Sequence, residues 1–232
     1  MEDLEIYKQQ AAARALDFVE SGMALGLGTG ATATWMLHEL AARLANGRLR
    51  DIVGVPTSSR TAAVARELGI ELATLEQRPR LDIALDGADE IDPQFHLIKG
   101  LGGALLREKI VAASAEQFLV MASAVKRVAQ LGERTPVPVE VVTFGIPLCV
   151  QRLRKLGAEP ALRCDATGAP YITDEGHAIL DCRFSSISDP EALACAIRAI
   201  PGVVEHGLFV GMTYVAVLAG PDGISVAHPA QT

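Results

Sequence analysis

Over the first 130 residues, short continuous apolar runs alternate with longer stretches whose apolar positions recur every three or four residues. Ile6, Ala11, Ala15, Phe18 and Val19 fit one helix face over 3–20, and Ser21 with Gly22 closes the segment. Residues 23–27 read as a buried strand, and Trp35, Met36, Leu37, Leu40 and Leu44 as the apolar stripe of a second helix. A strand at 52–55, a helix at 61–68 ended by Gly69, strands at 70–75 and 81–85, a helix at 105–115 and a strand at 118–122 continue the alternation. This order predicts an α/β fold: an open, mainly parallel, Rossmann-like sheet with helices on both faces.

The pattern changes at the Pro-bounded stretch 132–138. Beyond it come a strand (139–142), a helix (147–156), a hairpin around 165–168, a strand (178–183) and a helix (190–200), which predict a smaller α+β, ferredoxin-like lid domain. Apolar strands at 203–210 and 214–218 then return the chain to the first sheet. The expected division is therefore 1–131 with 204–232 as the α/β domain and 132–203 as the smaller one.

Composition narrows the partners. Half of the 232 residues are hydrophobic and 4% are aromatic, as suits helices packed on a sheet rather than a disordered chain. A net charge of -7, with a pI near 5.3, argues against a nucleic-acid or anionic-membrane surface, so an anionic ligand needs a local cradle. The acidic start MEDLEIYKQQ is unlike a secretory signal, and no apolar run approaches the roughly 20 residues of a membrane span, so a cytoplasmic protein is expected. Cys149, Cys164, Cys182 and Cys195 are scattered without metal-site spacing and read as reduced thiols.

The chemistry concentrates in two glycine-bearing segments. The first runs from Gly26 through Gly28, Thr29, Gly30, Ala31, Thr32 and Ala33, where a strand meets a helix N-terminus. It satisfies the loose dinucleotide fingerprint, but the acid expected about 20 residues on is misplaced: Asp51 precedes the second strand and Thr57, Ser58 and Ser59 follow it. Two hydroxyl-rich loops suit a small phosphorylated or polyhydroxylated ligand better. The second segment, 81–109, carries Asp86, Asp89, Glu90 and Asp92 after a buried strand, then Lys99, the turn Gly100-Leu101-Gly102-Gly103, and a helix with Arg107, Glu108 and Lys109. Helical spacing sets Leu101 and Leu105 beside Glu108, and desolvation there would strengthen Glu108 as a base. The plain alternative is a surface glutamate paired with a lysine or arginine. Asp86 and Asp89 suit either sugar hydroxyls or Mg²⁺, and Lys126 either an anion or solvent.

GLGTGATA at 26–33, GVPTSSRT at 54–61, DGADEID at 86–92, KGLGGALLREK at 99–109, PVPVEV at 136–141 and IPGVVEHGLF at 200–209 run nearly end to end, and through them the chain resembles the type A ribose-5-phosphate isomerases. The resemblance implies a cofactor-free, metal-free aldose-ketose isomerase that interconverts ribose 5-phosphate and ribulose 5-phosphate through an enediol in the pentose phosphate pathway. It further implies a homodimer or dimer of dimers. Position by position, it implies Glu108 as catalytic base, with Asp86, Asp89 and Lys99 as its polar companions. Thr29, Gly30, Ala31, Thr32, Gly87, Ala88, Gly100, Leu101, Gly102 and Lys126, together with Asp86, Asp89 and Lys99, are the implied substrate contacts. The chain departs from the family at Ala31 (usually Ser), at Leu101 (usually Gly) and at Ser123-Ala124-Val125-Lys126 (usually Asp-x-Ser-Lys), in binding loops that spare the acid-base set. A non-catalytic sugar-phosphate regulator of the same fold is the alternative, although the chain shows no basic DNA-binding segment. A related deaminase or acyl-CoA transferase is a third reading, which the DGADEID block disfavours.

Overall fold

The computed structural model describes residues 2–229, which form two compact units. In chain order the elements are α1 (Glu2–Ala15), β1 (Ala24–Leu27), α2 (Ala31–Ala45), β2 (Val53–Pro56), α3 (Ser59–Glu67) and β3 (Leu81–Asp86). Short strands β4 (Glu90–Ile91) and β5 (Leu97–Ile98) precede α4 (Leu105–Ala113) and β6 (Ala115–Ser123). Then follow β7 (Val137–Val141), α5 (Ile146–Lys155), β8 (Ala158–Leu162), β9 (Ala178–Phe184), α6 (Pro190–Arg198), β10 (Val203–His206), β11 (Leu208–Phe209), β12 (Val215–Gly220) and β13 (Gly223–Ala227).

The first unit comprises the chain as far as Ala88, Arg107–Lys126 and the chain from Met212. Its six-stranded sheet has the order β13-β12-β6-β3-β1-β2, parallel except for the edge hairpin partner β13. Leu25, Leu27, Ile83, Leu85, Leu119 and Met121 face one core with Met36, Leu37 and Leu40 of α2 and Ala11, Ala12 and Ala15 of α1. Between Leu25 and Leu27, Gly26 faces the other way, where a side chain would collide with Val111 of α4. The sheet therefore carries helices on both faces, as the βα alternation predicts.

From β1 the chain goes to β2 on one side and afterwards to β3 on the other. That reversal between β1 and β3 is a topological switch point, where the loops beyond the strand ends diverge and leave a crevice. Glycine loop 28–30 and Asp86 stand at this place.

The second unit comprises Asp89–Leu106 and Arg127–Gly211. A four-stranded antiparallel sheet, order β10-β7-β9-β8, is built by a βαββαβ run with α5 and α6, the ferredoxin-like arrangement. Val137, Val139, Val141, Leu180 and Cys182 pack on Cys149, Leu153 and Ile197 of its helices. Strands β11, β5 and β4 form a separate three-stranded antiparallel sheet. All four cysteines are free thiols.

Three local expectations fail. Residues 70–75 form a single bridge, with Gly54 bonded on both sides to Glu71 O and Ala73 N, because Thr74 to Gln77 spend their hydrogen bonds on a local turn. The predicted strand at 203–210 is two strands in two sheets. Gly207 divides it, donating to Pro138 O at 2.7 Å while its own carbonyl accepts from Lys99 N at 2.9 Å. Leu101 lies in the turn before α4, not on the helix with Leu105 and Glu108, and is 41% exposed.

Candidate active site

In the first unit, Asp86 ends β3 with its side chain 2% exposed. Oδ1 accepts from Thr29 N at 3.1 Å and from Gly87 N at 2.7 Å, so the carboxylate ties the loop after β1 to the loop after β3. Gly28 makes this possible: a Cβ there would stand 2.2 Å from Asp86 Oδ1.

The hydroxyl-rich loops meet, but not as a ligand cradle. Thr29 Oγ1 lies 2.7, 2.8 and 2.9 Å from the hydroxyls of Thr57, Ser58 and Thr61. Thr57 donates to Leu27 O, Thr61 to Gly28 O, Ser58 to Thr61 Oγ1 and Thr29 to Ser58 Oγ. A hydroxyl has one proton to give. All four are spent inside the network, which also caps α3 through Thr61 N to Ser58 Oγ at 3.0 Å. Gly30 caps α2 without a side chain, at φ 118°, and Thr34 N closes the first helical bond on its carbonyl. The N–H groups of Ala31 and Thr32 stand in the first turn of α2, where a helix favours an anion. Ala31 is exposed and Thr32 half-buried.

Glu108 lies in the first turn of α4, 3% exposed. A crossover helix between the parallel strands β3 and β6 starts at the C-terminal edge of the sheet, the edge that carries Gly28 and Asp86. Lys126 ends the 3₁₀ turn Ala124–Lys126 after β6, at the same edge and half-buried. Just before it, Ser123 Oγ is buried without a hydrogen-bond partner among the described residues. A cleft of about 560 Å³ beyond β2, lined by Pro56, Ser58, Ser59, Arg66, Thr74 and Arg107 among others, takes in two hydroxyl-bearing residues of the second loop but none of Thr29, Asp86, Asp89, Lys99, Glu108 and Lys126.

In the second unit, the other three carboxylates of DGADEID part company. Glu90 is 1% exposed and accepts from the backbone N–H groups of Gly132, Arg134 and Thr135 at 2.7, 2.7 and 2.6 Å, so it anchors a loop. Asp92 Oδ1 accepts from Gln94 N and His96 N within a local turn. Asp89 stays half-buried, with Oδ2 accepting from Leu101 N at 3.0 Å. Lys99 is 2% exposed, its ammonium 5.5 Å from the centre of the Phe209 ring. Gly100, Leu101 and Gly102 follow it in one turn closed by Gly103 N to Gly100 O at 3.0 Å.

Sequence reasoning passed over Arg163. Its Nη1 donates to the carbonyls of Gly100 and Leu101 at 3.0 and 3.2 Å, while Nε and Nη2 form a two-pronged pair with Asp181 at 2.9 and 2.5 Å. No motif or spacing could have signalled it. Among the described residues no group of three or more His, Cys, Asp or Glu side chains is placed to hold a metal ion, and no helix is long and apolar enough to cross a membrane.

The family model for ribose 5-phosphate isomerase A (phosphoriboisomerase A) matches residues 53–223. Ribose-5-phosphate isomerase A of Roseiflexus castenholzii is 70% identical, over 96% of this chain and 95% of that protein. The solved ribose 5-phosphate isomerase from Plasmodium falciparum superposes with a TM-score of 0.94 at 38% identity, covering 98% of this chain and 100% of that one. A D-ribose-5-phosphate isomerase solved in complex with phospho-erythronic acid gives a TM-score of 0.95 at 38% identity, over 97% of this chain and 99% of the other. With its α/β sheet, its switch-point aspartate and its buried lysine and glutamate inside the matched segment, this chain belongs to the ribose 5-phosphate isomerase A family of sugar-phosphate isomerases.

Proposed function

We propose that the chain interconverts D-ribose 5-phosphate and D-ribulose 5-phosphate by moving one proton between C2 and C1, with Glu108 as the group that carries it. The observation behind this reading is the burial of two ionisable side chains, Lys99 at 2% and Glu108 at 3% exposure, within the segment the family model matches. Charged groups are rarely taken out of water without a specific task or partner.

The sugar reacts in its open form. The Glu108 carboxylate removes the C2 proton, the electron pair forms the C1–C2 double bond, and the aldehyde oxygen takes up negative charge opposite the Lys99 ammonium. The O2 proton moves to O1, and protonated Glu108 returns its proton to C1 as the C2 carbonyl forms. Atoms and electrons balance without a redox partner or metal. Asp86 and Asp89 accept from sugar hydroxyls and assist ring opening, with Gly87, Ala88, Gly100, Leu101 and Gly102 alongside. The phosphate is held by the backbone at Gly30, Ala31 and Thr32 and by Lys126, while Thr29 contributes its backbone N–H to fixing Asp86. Phospho-erythronic acid, the ligand of the solved relative, supports this reading. It is a sugar-derived phosphate whose carboxylate presents two oxygens, as an enediolate does.

Such an enzyme serves the non-oxidative pentose phosphate branch in the cytoplasm. Exposed Val142, Phe144 and Leu148, at 42, 97 and 39%, support assembly as a homodimer or dimer of dimers, which light scattering measures. The deciding experiment follows ketose formation from ribose 5-phosphate in D₂O with EDTA present. Ketose formation is expected, with solvent deuterium entering C1 in those turnovers in which protonated Glu108 exchanges with the solvent, and Glu108→Gln should lose about 10²- to 10⁴-fold in kcat or more. Wild-type turnover by that variant removes Glu108 from the role.

A further inference from the structure

We infer that Arg163, oriented by Asp181, is a positioning residue for the isomerisation: its guanidinium sets the peptide planes of the Gly100–Gly102 turn and through them the placement of Asp89 and Lys99. The inference rests on the functional reading of those two residues.

Arg163 follows β8 and Asp181 lies on β9, in the second unit's antiparallel sheet. Arg163 N donates to Ile179 O and Arg163 O accepts from Tyr171 N, both at 2.9 Å, so the backbone that carries the guanidinium is pinned. The side chain is 13% exposed, and the Tyr171 ring centre lies 5.9 Å from its central carbon. The Asp181 pair uses the Nε and Nη2 edge, which leaves Nη1 aimed at two successive carbonyls. A planar fork with a fixed partner is suited to holding such a geometry.

In a trans peptide C=O and N–H point to opposite sides. Turning the carbonyls of Gly100 and Leu101 toward Arg163 therefore turns the N–H groups of Leu101 and Gly102 the other way. Leu101 N–H there meets Asp89 Oδ2 at 3.0 Å, which fixes one carboxylate oxygen. Lys99 precedes the same turn with its own N–H held by Gly207 O at 2.9 Å, so its backbone is fixed by Gly207 on one side and by the arginine-held turn on the other. A shift of about 1 Å in a reacting group can cost 10²-fold in rate. A clasp of this build aims the turn as well as stabilising it.

The test is Arg163→Met, with Arg163→Lys and Lys99→Ala beside it. Arg163→Met is expected to lower kcat about 10- to 100-fold while KM moves much less, and to speed hydrogen exchange at the Leu101 amide. Added guanidinium should restore part of kcat, and Arg163→Lys should recover little, since an ammonium cannot span Asp181 and two carbonyls. Combined with Lys99→Ala, the Arg163 change should add little further loss, as expected of a residue acting through the lysine. Asp181→Asn reads the same effect at smaller size if Arg163→Met does not accumulate. Wild-type kcat in Arg163→Met, a loss confined to KM, or full additivity with Lys99→Ala overturns the inference. If Lys99→Ala itself turns over like wild type, the fault lies in the functional reading of Lys99, whereas a crippled Lys99→Ala beside an unaffected Arg163→Met sinks the clasp alone.

Discussion

The loop at 26–33 and the turn at 99–103 are both rich in glycine, yet they are held in different ways. The first is tied by neutral hydroxyls, with Thr29, Thr57, Ser58 and Thr61 exchanging every proton among themselves and the backbone. The second is tied by charge, with Asp89 on the Leu101 N–H and Arg163 on the carbonyls of Gly100 and Leu101. A neutral hydrogen bond contributes a net ~0.5–1.5 kcal/mol, and one to a charged group ~1.5–3 kcal/mol. Under the proposed function, the difference separates a scaffold from a working part. Hydroxyls satisfied by one another have no proton to offer a ligand and serve to place Asp86. The charged turn concentrates fixed charges where a reaction that develops an oxyanion can use them.

The largest effect should come from the charged turn. Lys99→Ala is expected to lower kcat by about 10²- to 10³-fold and to affect KM less, because an ammonium matters most when the enediolate forms. Steady-state kinetics with ribose 5-phosphate makes the division, and a KM effect alone would make Lys99 an anchor for the ground state. Thr29→Val should act on the neutral loop in the opposite sense. It takes from Ser58 Oγ the proton that Thr29 donates and should remove about 1–3 kcal/mol of stability, read by denaturant unfolding, with only a few-fold rise in KM. A large KM effect at unchanged stability would show the Thr29 hydroxyl turned to substrate after all, and the contrast between the loops would fall.

That contrast also marks where the sequence was legible. Short apolar runs and helical spacing carried the βα alternation and the α+β character of the later part, because local patterning decides those elements, whereas the second unit runs over Arg127–Gly211 with Asp89–Leu106 added, not over 132–203. DGADEID and KGLGGALLREK mark by type and spacing alone the segment to which the proposed chemistry is assigned. What each acid does there was not legible. Glu90 and Asp92 look like Asp86 and Asp89 in the string, but Glu90 answers N–H groups 42 to 45 residues away and Asp92 closes its own turn. The hydroxyls of Thr29 and Thr61 meet across 32 positions, and Arg163 reaches the glycine turn across 63. Partners that distant leave no trace in spacing. The break at Gly207 did leave one, since an isolated glycine inside an apolar run often marks a bulge or a close backbone approach.

The smallest effect lies behind the charged clasp. Cys182 follows Asp181 on β9 with its side chain on the buried face. Burial first, then the negative charge of Asp181 and the neighbouring Cys149, push its thiol up to about 12 from an ordinary 9.0. Asp181→Asn should therefore lower that value only in part, because burial remains. At pH 8 an alkylating reagent should label the exposed Cys164 and Cys195 and spare Cys149 and Cys182, as counted by mass spectrometry of the native protein. The linkage has a definite sign. Above pH 9 the unfolded chain has released the Cys182 proton and the native one retains it, so stability is full below about pH 9 and falls as pH rises toward about 12. Cys182→Ala should flatten that slope by up to one proton, and an unchanged slope would mean that the thiolate is no less welcome on β9 than in the unfolded chain.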